Sequence, residues 1–110
     1  MKLLLLLVLL MPAAAHALSN DAQEFIAITK ELEPVQCEKR RLRREMALAQ
    51  VENRSTRELR ERFAKLNRDP KTARLEKRLA ELEPRLRKSS DAEDLPAVSR
   101  QQREGFYRCE

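Results

Sequence analysis

Apolar side chains recur every three or four residues along nearly the whole of this chain, and that spacing admits little except helix. Phe25, Ile28, Leu32 and Val35 open the stripe, Leu42, Met46 and Ala49 continue it, and Leu59, Phe63 and Leu66 resume it. Leu75, Leu79, Leu82 and Leu86 form a second stripe in steps of four, three and four. The period is helical, with no strand-like alternation. A single glycine, Gly105, and the absence of tryptophan argue against a multi-strand sheet, a Gly-rich phosphate loop and a large enzyme core. Beyond residue 17, Ala, Glu, Lys, Leu and Arg make up about 60% of the chain, the composition of long helices and coiled coils.

Punctuation divides the helical pattern. Ser19, Asn20 and Asp21 are all good N-caps, and Asn20 with Gln23 resembles a capping box. Pro34 lies inside the first stripe, where it costs a hydrogen bond and about 3 kcal/mol. Residues 20–66 are therefore expected as one helix kinked near 34, or as two with a break near Glu33. The string Glu-Leu-Glu-Pro recurs at 81–84 and reads as a second kink site, not as a repeat. Between Glu52 and Glu58 the stripe turns polar, which predicts weak or solvated packing there. Opposite charges four apart should line the outer face: Arg41 with Glu45, Arg54 with Glu58, Arg57 with Glu61, Glu58 with Arg62, and Glu61 with Lys65. Asn67-Arg68-Asp69-Pro70 is the clearest turn signal, with Asp69 as N-cap and Pro70 at the first helical position. It predicts a reversal at 67–70 and a helix over 71–88 running back along the first. In that register residue n of the first arm faces about 137 − n. A polar linker at 89–95 precedes a short helix over 96–104, opened by Pro96 and ended by Gly105.

The first 17 residues carry the pattern of an export signal. Lys2 is the positive end, Leu3–Met11 are apolar, Pro12 breaks the run, and Ala15-His16-Ala17 offers small residues at cleavage spacing. The run is shorter than the ~20 residues a membrane span needs. Cleavage after Ala17 leaves residues 18–110 as a single small helical domain with no transmembrane anchor; cleavage after Ala15 is the rival. The expected location is the periplasm of a bacterium, or outside the cell.

Two cysteines, Cys37 and Cys109, lie beyond that signal. In an oxidising compartment one internal disulfide is the most economical reading; an intermolecular bridge and two free thiols are the alternatives. A bridge requires Cα atoms within about 7 Å and closes a loop worth roughly 4 kcal/mol. The expected fold is all-α: a long kinked helix and an antiparallel second helix in a coiled-coil-like hairpin, with a short helical tail tied back by the disulfide.

The chemistry available is narrow. The sole histidine, His16, falls inside the signal, so no Ser-His-Asp or Cys-His set can form. Two thiols without histidine do not make a zinc site. Carboxylate pairs such as Glu31/Glu33 and Glu81/Glu83 diverge on a helix. No cofactor, metal site or enzymatic activity is expected. The chain has 23 Lys+Arg against 18 Asp+Glu, a net charge of +5, and its densest cationic cluster is Lys39, Arg40, Arg41, Arg43 and Arg44. Arginine forks suit carboxylate and phosphate oxygens, so this patch is a candidate docking surface for another protein or an anionic envelope component; the alternative is a solvated helix face. Export and the scarcity of aromatic residues speak against nucleic acid. The tail Gln102–Cys109 looks like the end of the small periplasmic lysozyme-inhibitor domains, over eight residues and without the tryptophan usual there; no site carries over. The expected role is that of an exported, non-catalytic macromolecule-binding or accessory protein. An inhibitor of a lytic enzyme and a self-associating coiled-coil component are the rivals, and monomer and oligomer both stay open.

Overall fold

The computed structural model describes residues 18–109, and the expected export signal over residues 1–17 lies outside them. Four helices and no strand occur among the described residues: α1 Asn20–Val51, α2 Arg57–Arg68, α3 Pro70–Arg87 and α4 Asp94–Tyr107. The fold is all-α, a helical hairpin with its tail stapled back by one disulfide.

Helix α1 starts at Ser19, not at the expected Asn20 box. The Ser19 hydroxyl accepts from the Ala22 N–H at 3.1 Å, satisfying one of the free donors of the first turn. Gln23 instead donates to the Leu18 carbonyl at 2.8 Å. The helix then runs through Pro34 without a break. Pro34 faces solvent, while Leu32 and Leu42 on either side of it are buried. Burial on both sides, at about 1.5–3 kcal/mol per large apolar side chain, offsets the lost hydrogen bond. Helix α3 passes through Pro84 in the same way, with Leu82 and Leu86 buried around it.

The break falls instead at 52–56, so the expected single helix over 20–66 is two helices. Asn53 has φ 57, the left-handed conformation that asparagine tolerates better than most residues. The Asn53 N–H donates to the Gln50 carbonyl at 3.2 Å and the Arg54 N–H to the Ala49 carbonyl at 2.7 Å. This is the Schellman arrangement that closes a helix C-terminus. Arg54 accordingly pairs with Glu52, not with Glu58. The expected pairs Arg41–Glu45, Arg57–Glu61 and Arg62–Glu58 do form.

This break moves the hairpin turn. The contacts Asp21–Arg85, Glu24–Arg78 and Glu31–Lys71, together with Lys39 over the Phe63 ring, are symmetric about residues 51–53. The chain therefore reverses at 52–56, not at 67–70. Helices α2 and α3 follow one another along α1 in the same direction, separated by Asp69 alone. Asp69 and Pro70 do what their chemistry predicts: the Asp69 carboxylate accepts from the Thr72 N–H at 3.0 Å and the Thr72 hydroxyl at 3.1 Å. They begin a helix without turning the chain around.

Helix α4 then returns beside the first half of α1, parallel to it. It starts at Asp94, earlier than expected, with Pro96 in the first turn, where an N–H is not needed. It also continues past Gly105 to Tyr107, so Gly105 is not a helix cap. Gly105 is buried against α1, and a Cβ there would stand 3.3 Å from Glu33 Oε2. Its smallness lets α4 approach α1. Ala22, Phe25, Ile28 and Leu32 of α1, Leu82 and Leu86 of α3 and Val98 of α4 form the core.

The molecule thus has two parts. A three-helix base is built from residues 20–37 of α1 with α3 and α4. An arm of two helices is built from residues 38–51 of α1 with α2.

Candidate functional site

The Cys37–Cys109 bridge marks the border between base and arm. Its Cα atoms are 5.2 Å apart, within the expected limit. The register reason for it differs from the one the hairpin expectation supplies: Cys109 reaches Cys37 because α4 runs parallel to α1. Beside it, Arg108 grips Glu33 with two hydrogen bonds of 3.0 and 2.6 Å, and Gln101 donates to Glu33 at 2.9 Å. The Arg108 hydrogen bonds hold the Glu33 carboxyl below its ordinary range, against some desolvation, and the same pairing pushes Arg108 up. Arg78 likewise grips Glu24 at 2.6 and 2.8 Å and lowers its carboxyl.

At the opposite end of α4 the sequence concealed a latch. Asp94 has no accessible surface. Its carboxylate accepts from the Ser19 N–H at 3.1 Å, the Ser19 hydroxyl at 2.6 Å and the Ser89 hydroxyl at 2.8 Å. Burial pushes its pKa up, but the hydrogen bonds from Ser19 and Ser89 together outweigh it, and the carboxyl lies below its ordinary value. One residue therefore ties the start of α1, the 88–93 loop and the start of α4. In the sequence it was one of three acids in a polar stretch, and no spacing set it apart.

The five cations at 39–44 do not form one patch. Lys39 is 5% exposed, bonds Glu76 at 2.8 Å and lies 5.7 Å from the Phe63 ring centre. Arg41 is bound by Glu38 and Glu45 on its own helix, and the Glu38 hydrogen bond raises its pKa. These two are neutralised in place. Arg40, Arg43 and Arg44 have no carboxylate within 4 Å among the described residues. Arg40 stacks on the Phe106 ring at 3.6 Å and donates to the Phe106 carbonyl at 2.8 Å. Arg43 sits 5.3 Å from the Phe63 ring centre. Stacking occupies a guanidinium's face and leaves its in-plane donors free. Sequence reasoning found the cations but not the rings, because Phe63 and Phe106 come from other helices.

The arm is thinly covered. No residue of α2 is buried, although Leu59, Phe63 and Leu66 keep helical spacing. Leu48 and Val51, near the tip on α1, are 53% and 81% exposed. Among the described residues no group of three or more His, Cys, Asp or Glu side chains is arranged to hold a metal ion, and no helix is long and apolar enough to cross a membrane. A protein-family scan, a search of curated proteins and a search of solved structures each return no match to the chain.

Proposed function

We propose that this chain is an exported, non-catalytic binding protein. Its base is a stapled scaffold, and its arm presents Arg40, Arg43 and Arg44 to another macromolecule. One observation carries the reading: α2 buries none of its residues fully, its stripe of Leu59, Phe63 and Leu66 being only half-buried, so part of the arm is left for something outside this chain. The free guanidiniums supply charge complementarity, steering an acidic protein partner toward that surface. Export is supported by the pattern of residues 1–17 and by a disulfide of the kind that oxidising compartments keep.

Crosslinking pull-down from a periplasmic extract tests the reading. Arg43→Glu with Arg44→Glu should abolish capture of a specific partner, whereas Arg41→Ala, which removes a cation already neutralised, should leave it. Absence of any partner, or a partner indifferent to the double reversal, would refute it. Self-association is a second reading, favoured by the exposed Leu48 and Val51; a mass in solution that rises with concentration, and stops rising in Val51→Asp, would support it over the first.

A further inference from the structure

Helices α3 and α4 both pack on α1, and a cleft of about 220 Å³ lies among the three beside the disulfide. Phe25 and Leu32 form its floor, Leu79 of α3 one wall, and Gly105 and Phe106 of α4 the other. Cavities of about 150 Å³ with apolar linings are large enough to take benzene, so this volume suits a ring or a branched aliphatic side chain. Arg40 also lines it, at the end nearest the arm.

The α1 residues facing the cleft, Phe25, Thr29, Leu32, Gln36 and Arg40, follow one another in steps of four, three, four and four, and Arg43 comes three residues later. An apolar floor thus gives way, along one helix face, to two arginines whose Cα atoms are about 4.5 Å apart in rise, Arg40 lining the cleft and Arg43 lying just beyond it. Arg40 is stacked on the Phe106 ring, Arg43 lies 5.3 Å from the Phe63 ring centre, and neither has a carboxylate partner among the described residues. The acid in the cleft wall, Glu33, is already compensated by Arg108 and Gln101, so it does not cancel the charge of these arginines.

We propose that this cleft is a peptide-binding site, which takes a bulky apolar side chain of a partner protein while Arg40 and Arg43 receive carboxylates next to it in the partner's sequence. The proposal rests on the binding reading above and names the site and the chemistry of the segment. Binding should follow both features. Burying a phenyl ring instead of a methyl group is worth about tenfold or more in affinity, and two exposed charge contacts together about fivefold.

The probes are three capped peptides: Glu-Glu-Phe, Gln-Gln-Phe and Glu-Glu-Ala. Each is titrated into the oxidised protein while backbone amides are followed by NMR. Glu-Glu-Phe should shift the amides of Leu79, Gly105 and Phe106. Gln-Gln-Phe should bind about fivefold more weakly and Glu-Glu-Ala about tenfold more weakly. Arg40→Gln with Arg43→Gln should erase the difference between the Glu and Gln peptides while leaving the fold unchanged by circular dichroism. Thr29→Leu, which adds bulk at the cleft, should weaken Glu-Glu-Phe and leave Glu-Glu-Ala as it was. Equal binding of the Phe and Ala peptides, shifts confined to the arm, or no shifts at millimolar peptide would overturn the proposal. So would binding to anionic phospholipid vesicles with no response to any peptide. If the pull-down finds an Arg43- and Arg44-dependent partner while the peptides leave the cleft untouched, this inference fails and the binding reading stands. If Glu-Glu-Phe fills the cleft as described but no partner is captured, the site stands and the arm reading fails.

Discussion

The base and the arm share one helix, yet they are held by different means. In the base, α1 is flanked by two helices, and its apolar residues Ala22, Phe25, Ile28 and Leu32 are all buried. Its ion pairs cross between helices, as Arg78–Glu24, Lys71–Glu31 and Arg108–Glu33 do, and a disulfide closes it. In the arm, α1 packs along α2, with Lys39–Glu76 and Arg40–Phe106 reaching α3 and α4 at its base end, and only Lys39, Leu42 and Ala49 of its half are buried. Most of its ion pairs stay within one helix, such as Arg41–Glu45, Arg57–Glu61 and Arg62–Glu58, and such pairs add only about 0.2–0.5 kcal/mol each. The same periodic sequence thus builds a scaffold where a third helix covers it and an open surface where none does.

Removing the staple should produce the largest effect on this contrast. Cys37→Ser with Cys109→Ser releases a loop spanning 72 residues, at a cost of about 4 kcal/mol. Denaturant unfolding should show that loss, and α4 should lose protection from hydrogen exchange while α2 changes little. Next, Leu82→Ala, at a fully buried base position, should cost about 3 kcal/mol. Leu59→Ala, on the stripe of α2 where nothing is buried, should cost under about 1 kcal/mol. Comparable losses at the two sites would erase the distinction between base and arm.

The Asp94 latch adds a pH dependence to the base. Its carboxyl lies below its ordinary value of 3.8 when folded. A lowered folded pKa makes its contribution complete above the unfolded pKa and progressively lost as pH falls through the folded one. Glu24 and Glu33, lowered from 4.5 by Arg78 and Arg108, act in the same direction. Stability should therefore decline below about pH 4.5. Asp94→Ala should cost about 2 kcal/mol at pH 7, since it strands the Ser19 and Ser89 donors, and should flatten the acid limb of the unfolding curve. An unchanged acid limb would show that the latch is not ionised in the folded state. The smallest effect belongs to the turn: Asn53→Ala keeps a Cβ at positive φ but removes the short polar side chain that makes that conformation tolerable and should cost about 1 kcal/mol, whereas Asn53→Gly should be nearly neutral. Equal effects of the two would place the reversal elsewhere.

Helix, hairpin and staple were all legible in the sequence; the position of the reversal was not. Asp69-Pro70 carries stronger boundary chemistry than Glu52-Asn53-Arg54-Ser55-Thr56, and it does start a helix. But a cap and a proline at the first position state where a helix begins, not in which direction it leaves. Direction is set by which stripe buries against which, and Leu42 and Leu82 both find their partners only when the chain turns at 52–56. The polar gap over 52–58 was the available sign of that turn. The expected charge pair Arg54–Glu58 masked it by suggesting that the helix continued. At Pro34 the continuous alternative holds and the break near Glu33 does not, because the local penalty of a proline is smaller than the burial around it. The cationic cluster was visible, but its division into Lys39, paired with Glu76, and Arg40, Arg43 and Arg44, without carboxylate partners among the described residues, depends on Glu76, Phe63 and Phe106, which only the tertiary fold brings near. Asp94 left no trace for the same reason.

Native-state hydrogen exchange on the oxidised protein tests the central claim most directly, because it reads the stability of each helix separately. Amides of α3, α4 and residues 20–37 of α1 should open only with global unfolding, while those of α2 should exchange about a hundredfold faster or more, by local opening. Protection of α2 equal to that of α3 would contradict that claim, since the arm would then be as firmly built as the base and would have no surface to spare.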